Sequence, residues 1–327
     1  MPRAFAADLP RFGVALAVHC ELSVITEPLA AQIIELPLPR PDRRASRLDH
    51  YEVVAPIAKG GMGGVYLGTD RRTGERVAIK LLDPRYARHE DIVERLFAEE
   101  RISRAVRHRN LLEVRASGRA SDTPYLVLEY LDGENLGELA EKGRMEIDAI
   151  IGIVAQIAAG LSAMHAAGIV NCDVKPDNVF VLYEQGYAGW PRVKVIDYGV
   201  SQFVSEIVPN EATIAGTPAC MAPEQWVGAP TTKSDVYALG CMMYELLTGD
   251  SVYSGSLPEL MIAHTKRHPP RASWLRSDIP PDLERLIMRM LAKNPTFRPT
   301  MDEICDRLAE LIDDRAQLSN PQMSKAG

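Results

Sequence analysis

The chain contains few cysteines, and none of them forms a pair that suggests a zinc site or a disulfide framework. Its 327 residues include five cysteines, scattered singly at positions 20, 172, 220, 241 and 305. A CxxC motif is absent, and an odd, scattered set does not resemble the framework of a small secreted domain. We therefore expect reduced thiols that serve as small apolar side chains.

Long apolar runs and an excess of positive charge are also missing. The net charge of -7 argues against a general nucleic-acid binder, whose surface is basic. No uninterrupted apolar run reaches the ~18 residues that span a bilayer. The best candidate, residues 12–18, is short, and Asp8 and Pro10 precede it where a signal peptide would be basic and then apolar. We expect no membrane span and a cytoplasmic location.

The composition that remains is typical of a globular protein large enough for two lobes. Hydrophobic residues make up 46% of the chain and charged residues 25%. Residues 1–47 differ, because they end in a segment rich in proline and arginine, residues 36–44. We interpret residues 1–47 as a poorly packed extension and linker. An incorrectly assigned start of the coding region is the alternative. Residues 314–327 are expected to form a disordered tail.

The periodicity of apolar residues predicts a strand-rich first part and a helix-rich remainder. Predicted strands are 51–57, 65–69, 76–82, 111–117 and 125–130, and a helix is predicted at 92–106. Beyond residue 133, predicted helices are 147–166, 235–247, 257–265, 283–291 and 301–312. This order indicates an α+β fold with two lobes, at residues 51–131 and 132–313, which meet near Leu131–Gly133.

A glycine-rich hairpin is the first feature that suggests chemistry. Residues 57–66 read Ile-Ala-Lys-Gly-Gly-Met-Gly-Gly-Val-Tyr between two predicted strands. Glycines let backbone N–H groups approach phosphate oxygens closely, although such a hairpin alone is equally well a flexible turn. The strand that follows it excludes a Rossmann or Walker loop, both of which lead into a helix. Lys80, in Val-Ala-Ile-Lys on the next strand, makes a phosphate site the better interpretation.

The segment 169–178 combines three side chains suited to phosphoryl transfer. Asp173 offers a carboxylate that orients a hydroxyl, Lys175 an ammonium that neutralises phosphate, and Asn178 an amide oxygen that binds Mg²⁺. An isolated surface Asp or Lys is usually only a solvated charge. Their grouping in one short loop, after the hairpin and Lys80, favours a catalytic function.

Taken in order, these motifs resemble those of the protein kinase family, specifically the eukaryotic-like Ser/Thr kinases of bacteria. The resemblance runs from Tyr51 to Ile312. It includes Asp197-Tyr-Gly, where the family has Asp-Phe-Gly, and the Ala-Pro-Glu motif that ends at Glu224. It implies a small antiparallel-sheet lobe with one main helix and a larger, mostly helical lobe.

The resemblance also implies a nucleotide site. Lys80 matches the lysine that contacts the α- and β-phosphates, and its helix partner is expected to be Glu99, with Glu100 as the competitor. Leu128 is expected at the back of the adenine pocket, with Glu129 and Leu131 offering backbone groups. The remaining predicted ATP-binding residues are Ile57, Ala58, Lys59, Gly60, Gly61, Met62, Gly63, Gly64, Val65, Ala78 and Phe180.

The catalytic residues implied in the same way are Asp173, Lys175 and Thr217. Asp173 would accept the proton of the substrate hydroxyl, and Lys175 would lie against the γ-phosphate. The position of Thr217 points to Ser/Thr acceptors. Asn178 and Asp197 would hold Mg²⁺, with Mn²⁺ as a possible substitute. A further pair, Glu224 with Arg298, is expected to be a structural ion pair in the helical lobe.

The sequence departs from the family at several positions. Asn171 and Cys172 stand where the family has His and Arg, and that arginine normally binds a phosphorylated activation-loop residue. We therefore expect altered control and retained activity, with any phosphate on Ser205 or Thr213 needing another receiver. Ala58 and Tyr198 replace Gly and Phe. The stretch from Asn178 to Asp197 is long, which suggests an extended hairpin whose aromatic residues pack on the protein or form a docking patch.

The sequence favours an ATP-dependent Ser/Thr protein kinase with protein substrates. The alternatives are a pseudokinase that binds nucleotide or partners with little turnover, and a small-molecule kinase on a related fold. A redox switch at Cys172 and Cys220 is disfavoured, because no neighbouring residue in the sequence clearly lowers a thiol pKa. The physiological substrate, the upstream signal and the oligomeric state are not predicted by the sequence.

Overall fold

The computed structural model describes residues 47–60, 62–120, 122–185, 190–207 and 216–319. These residues all belong to one compact unit, 41–327. Nearly all of the sequence-predicted extension, 1–47, lies outside them, as do residues 320–327 of the predicted tail. The last helix continues to Ser319, past residue 313, where the sequence places the end of the domain.

The first lobe is a six-stranded antiparallel sheet with one long helix. In space the strands run β1-β2-β3-β4-β6-β5, so only the β4–β6 pairing skips a neighbour in sequence. The strands are β1 (Arg47–Leu48), β2 (Tyr51–Gly60), β3 (Gly63–Asp70), β4 (Arg76–Leu82), β5 (Val114–Ala120) and β6 (Thr123–Glu129), and helix α1 is Glu90–Ala105.

The central strand β4 shows why Lys80 faces the interior of the protein. Val77 and Ile79 are completely buried in a small core with Tyr125 and Val127. Because successive side chains of a strand point to opposite faces, Ala78 and Lys80 lie on the other side of the sheet. Ala78 packs there against the main hydrophobic core, which continues into the second lobe. The alternation of β4 thus directs Lys80 toward α1 and the cleft.

The second lobe is mostly helical, with short strands on the side of the cleft. Strand β9 lies between β10 and β7 and pairs with both, and β8 pairs with β11. The elements are β7 (Gly133–Asn135), α2 (Leu136–Glu141), α3 (Ile147–Ala166), β8 (Ile169–Val170), β9 (Val179–Gln185), β10 (Pro191–Val195), β11 (Gln202–Phe203), α4 (Thr232–Thr248), α5 (Leu257–Lys266), α6 (Pro281–Met290) and α7 (Met301–Ser319). The α+β, two-lobed fold expected from the sequence is confirmed.

Helix α3 is the apolar centre of this lobe. By length and composition it would suffice to cross a membrane, with a mean hydropathy of 1.8, but 67% of that stretch is buried inside the protein. Its neighbours are α4, α7, β8 and β10. The apolar sequence of α3 is therefore accounted for by packing within the lobe.

The predicted extended hairpin is formed by β9 and β10. Val179 pairs with Val195 at its base and Gln185 with Pro191 near its tip. The tip, 186–189, lies outside the described residues. Trp190 packs against α3, where a Cβ atom on Gly152 would come within 2.6 Å of its indole ring. At least this aromatic residue packs on the protein itself.

Candidate active site

The glycine-rich hairpin joins β2 to β3 above the cleft. Ala58 pairs with Val65, Lys59 with Gly64 and Gly60 with Gly63, while Gly61 lies outside the described residues. Gly63 admits no side chain, because a Cβ atom there would lie 2.0 Å from the carbonyl oxygen of Leu81. At the tip, the Met62 carbonyl accepts a hydrogen bond of 2.8 Å from the Asp83 N–H, just beyond β4. This bond holds the hairpin beside the strand that carries Lys80.

The residues expected around the adenine ring lie at the end of the sheet and on β9. Ala78 pairs with Leu128, which is buried. The N–H of Glu129 donates to the carbonyl of Glu113 over 3.0 Å, so this N–H is not available to an adenine ring. Leu131 is half-buried against the core. Four more residues of the predicted set are exposed or half-buried, namely Ile57, Met62, Val65 and, on β9, Phe180.

Lys80 lies between two carboxylates, one from each lobe. Its Nζ atom is 2.7 Å from Oε1 of Glu99 on α1 and 3.7 Å from Oδ1 of Asp197. Glu100, the competitor, bonds instead to Ser117 and to Arg104. The three charged groups from β4, α1 and the segment after β10 therefore meet at one point.

Burial and attraction set the protonation of this trio. Burial lowers the pKa of Lys80, but the Glu99 and Asp197 carboxylates outweigh it, so its pKa is raised and the amine stays charged. Burial raises the pKa of Glu99 to about 7, an effect that Lys80 opposes. Burial also acts to raise the pKa of Asp197, but Lys80 and the Gly199 N–H lower it overall. Asp197 is thus kept as a carboxylate in the cleft.

The three predicted catalytic residues and Asn178 form one hydrogen-bonded cluster. Thr217 donates to Oδ1 of Asp173 over 2.6 Å, and Lys175 donates to Oγ1 of Thr217 over 2.8 Å. The Lys175 amine also lies 3.0 Å from Oδ2 of Asp173. Asn178 donates from Nδ2 to the carbonyl and to Oδ2 of Asp173, both over 2.9 Å. The arrangement fixes the Asp173 carboxylate while leaving it half-buried at the cleft.

Asn178 and Asp197 form a donor set that fits a magnesium ion. The Asn178 amide nitrogen makes both bonds to Asp173, so its oxygen is the remaining donor atom. The Asp197 side chain is 47% exposed. Mg²⁺ is usually bound by one or two carboxylates together with substrate phosphates. Within the described ranges, no cluster of three or more His, Cys, Asp or Glu side chains would hold a metal by itself.

A buried aspartate on α4 supports the loop at residues 169–178, which carries Asp173. Asp235 is fully buried and accepts bonds from the backbone N–H groups of Asn171 (2.8 Å) and Cys172 (2.9 Å). Its Oδ2 also lies 2.8 Å from Nε2 of His165 on α3. Thr231 and Ser234 form a capping box that starts α4 just before Asp235. The start of α4 thus places Asp235 next to the backbone of Asn171 and Cys172.

Asn171 and Cys172, the two atypical residues, are both buried within this loop. Oδ1 of Asn171 accepts a bond of 3.2 Å from the Asp173 N–H, and the hydroxyl of Ser201 donates to the Asn171 carbonyl over 3.1 Å. Cys172 has a positive φ of 67° and is 4% exposed. Burial, then Asp235, raises the pKa of its thiol, and burial also raises that of Cys220. Both groups are poor nucleophiles.

Two residues that support the site were not predicted from the sequence. Lys194 on β10 is buried and donates to the Leu111 carbonyl (2.9 Å) and to Oε1 of Glu129 (2.5 Å). Gln225 donates to the Cys172 carbonyl over 2.9 Å. The available signals were a lysine inside an apolar strand and a glutamine directly after the Ala-Pro-Glu motif.

The activation segment, the loop between Asp197 and Glu224, is described only in part. Ser205 lies in an exposed helical turn, and Thr213 lies outside the described residues. Next to Ser205, Glu206 accepts a hydrogen bond of 3.0 Å from Arg101 on α1. This contact joins the segment to the helix that carries Glu99.

Comparisons with known proteins agree with this geometry. The family model for the protein kinase domain matches residues 51–308. The serine/threonine-protein kinase Pkn1 of Myxococcus xanthus is 36% identical over 256 residues, which cover 77% of this chain and 36% of the relative. PknL of Mycobacterium tuberculosis is 36% identical over 253 residues, covering 76% of this chain and 62% of the relative.

PknB of Mycobacterium leprae is 33% identical over 259 residues, which cover 76% of this chain and 41% of that protein. The matched part therefore spans less than two-thirds of the length of each of these three relatives. The family model nevertheless matches well over half of the chain. The chain belongs to the protein kinase family, as its motifs predict.

Proposed function

We propose that this chain is an ATP-dependent serine/threonine protein kinase that transfers the γ-phosphoryl group of MgATP to Ser or Thr hydroxyls of proteins. The observation that carries the proposal is the cluster in which Thr217 and Lys175 both contact the carboxylate of Asp173. A carboxylate oriented for a hydroxyl, beside an ammonium that faces phosphate, is what transfer to an alcohol requires.

Lys80 is the residue proposed to hold the nucleotide phosphates. Its amine is charged and, among the described residues, makes one bond shorter than 3 Å, to Glu99, so it would have further donors for the α- and β-phosphates. Asp197 lies on its other side, so phosphates held by Lys80 would lie beside the carboxylate proposed to bind the cation. Positioning of this kind is the main contribution of a kinase, because the transition state is loose.

Asp173 is proposed to receive the proton of the substrate hydroxyl. The hydroxyl oxygen forms a bond to the γ-phosphorus, the bond from that phosphorus to the β–γ bridging oxygen breaks, and ADP leaves with that oxygen. The hydroxyl proton passes to the carboxylate of Asp173. Lys175 stabilises the negative charge on the transferred group as it moves.

Asn178 and Asp197 are the residues that would hold the divalent cation. Mg²⁺, or Mn²⁺ in its place, would neutralise charge on the phosphate oxygens when bound. The oxygen donors of both side chains suit either ion.

Control of the enzyme is proposed to be independent of an arginine before Asp173. Cys172 is buried and its thiol is uncharged, so it offers no cation to an activation-loop phosphate. The Arg101–Glu206 contact links α1 to the activation segment without a phosphate. We therefore expect basal activity that survives removal of phosphate from the protein.

The test compares label transfer by the wild type with that by Asp173→Asn. Purified protein is incubated with γ-labelled MgATP and a generic basic protein, and phosphoserine, phosphothreonine and phosphotyrosine are separated after hydrolysis. We expect label on Ser or Thr, and a loss of about 10²–10⁴-fold in Asp173→Asn because the general base is removed.

Asp91→Asn is the matched control, since Asp91 lies exposed in the first turn of α1, eight residues before Glu99. It should transfer label at the wild-type rate. Equal background label in the wild type and Asp173→Asn would contradict the proposal and favour a pseudokinase. Label found only on a metabolite would favour a small-molecule kinase.

A further inference from the structure

Tyr198 stands where the family has phenylalanine, and its additional hydroxyl makes a specific bond. The side chain is 1% exposed, and its hydroxyl donates to the carbonyl oxygen of Leu112 over 3.0 Å. A buried hydroxyl without a hydrogen-bond partner costs free energy, and the Leu112 carbonyl supplies that partner here. Phenylalanine has no hydroxyl that would need one. The ring itself would pack equally well without the hydroxyl. The hydroxyl therefore adds a contact with Leu112 that a phenylalanine ring cannot make.

The residue before it, Asp197, holds a strained backbone. Its φ is +73°, a left-handed conformation that a residue other than glycine rarely adopts. Such a conformation persists only when the surrounding structure determines it strongly. Asp197 also carries the carboxylate that lies 3.7 Å from Lys80 and would bind the cation. Its geometry thus depends on what anchors the chain on either side.

Both anchors lead to the same short segment, residues 110–112. On one side of Asp197, Val195 accepts a bond from the Leu112 N–H (3.0 Å) and donates its own N–H to the Asn110 carbonyl (2.8 Å). On the other side, Tyr198 donates to the Leu112 carbonyl. The strained residue is therefore flanked on both sides by bonds to one peptide segment, two at Val195 and one at Tyr198.

The same segment is tied to the helix that carries Glu99. Ser103 lies on α1, four residues after Glu99, and its hydroxyl accepts a bond of 2.9 Å from the Val114 N–H. It also approaches the Leu112 carbonyl at 3.4 Å. Leu112 consequently links the Asp197 turn to helix α1, whose Glu99 holds Lys80.

We propose that the Tyr198 hydroxyl is a positioning group that holds Asp197 in its cation-binding orientation through the Leu112 carbonyl. The proposal rests on the proposed function, because it assigns Asp197 to the cation. The Asp197 turn is then anchored by groups inside the protein. This anchoring does not depend on an activation-loop phosphate, to which Cys172 offers no charge.

The test measures how strongly Mg²⁺ tightens the binding of ADP. Calorimetric dissociation constants are determined with saturating Mg²⁺ and with chelator, for the wild type and Tyr198→Phe. We expect the tightening by Mg²⁺ to fall about three- to tenfold in Tyr198→Phe, the effect of one lost hydrogen bond. The affinity for metal-free ADP should stay the same. Amide hydrogens of residues 195–201 should exchange faster in the ligand-free variant.

Tyr244→Phe is the matched control. Tyr244 is also 1% exposed, but its hydroxyl has no hydrogen-bond partner among the described residues. Removing it should leave both the Mg²⁺ effect and the exchange rates at wild-type values. This variant therefore separates the loss of the Leu112 bond from the loss of a buried hydroxyl in general.

The outcomes distinguish this inference from the function on which it rests. If Tyr198→Phe unfolds at lower denaturant but keeps the wild-type Mg²⁺ effect, the hydroxyl only stabilises the fold, and the positioning role is overturned. If the wild type itself binds ADP without any response to Mg²⁺, both the proposed function and this inference are overturned.

Discussion

Two ion pairs that link distant parts of the chain differ in how completely they are bonded. Lys80 and Glu99 join β4 to α1 in the cleft. Glu224 and Arg298 join the segment before α4 to the segment before α7 in the helical lobe. Lys80 is 30% exposed, whereas Arg298 is fully buried in its side chain.

Every N–H group of the Arg298 guanidinium is used. Two bonds go to the Glu224 carboxylate, at 2.6 and 3.0 Å, and three go to backbone carbonyls, those of Ala292, Lys233 and Lys293. Glu224 also accepts a bond of 2.6 Å from Ser234. Nothing in this pair remains for a ligand, so its function is structural.

Lys80, by contrast, makes one bond shorter than 3 Å to the described residues, and its side chain is 30% exposed. An ion pair with unsatisfied donors contributes less to stability and more to binding. In this protein the functional ion pair differs from the structural one more in the number of N–H donors without a partner among the described residues than in burial alone.

The largest effect is expected when the structural pair is broken. Arg298→Met leaves the buried Glu224 carboxylate unpaired and three backbone carbonyls without their donor, and we expect a loss of about 3–5 kcal/mol in the free energy of unfolding. Urea unfolding monitored by circular dichroism measures it. Arg104→Met removes an exposed partner of Glu100 and should cost no more than about 1 kcal/mol. Equal losses in the two variants would contradict the comparison.

An intermediate effect is expected from His264, which hydrogen-bonds to Tyr237 beneath the Arg298 guanidinium. Burial, then Lys293, lowers the pKa of His264 to about 4. Below pH 6.5 the unfolded chain takes up a proton at this position that the folded protein does not, so stability falls with pH until about 4.

Between pH 7 and 4.5 this single group should remove about 2 kcal/mol from the free energy of unfolding. Urea midpoints at the two pH values measure the loss, and His264→Asn should lack that part of it. His268→Asn, at an exposed position, should keep the wild-type pH dependence. A His264→Asn profile identical to the wild type would show that the helical lobe tolerates a charged His264.

The smallest effect on stability is expected at the functional pair. Lys80→Met removes the partner of Glu99, but burial has already raised the Glu99 pKa to about 7, so this carboxyl can take up a proton near neutral pH. We expect a loss of about 1 kcal/mol or less. Unfolding midpoints at pH 7 check it, and a loss as large as that of Arg298→Met would remove the distinction between the two pairs.

Elements with strong local patterns were predictable from the sequence. The bounds of α3 agree with the prediction, because its apolar residues are nearly continuous. The strand predicted at 111–117 is instead β5, Val114–Ala120. Residues 110–112 do not join the sheet because they bond to Val195 of the other lobe, a long-range contact with no local signal. The short α2 and β7 were missed, since packing against β9 stabilises them.

In the site, too, local features were predictable from the sequence and long-range contacts were not. Asp173, Lys175 and Asn178 lie in one loop, so their grouping is visible in the sequence. The choice of Glu99 over Glu100 followed from motif spacing, and the structure has Glu99 beside Lys80. The bonds from Lys194 to Glu129 and from Tyr198 to Leu112 join residues 65 and 86 positions apart, so they emerge only from the fold.

The most direct test of this account is label transfer from γ-labelled MgATP by Lys80→Met, measured beside the wild type under conditions where urea midpoints show both proteins to be folded. The account predicts that Lys80→Met stays folded and loses transfer by at least about 100-fold, because the phosphates lose their positioning cation. Transfer at the wild-type rate by folded Lys80→Met would contradict it.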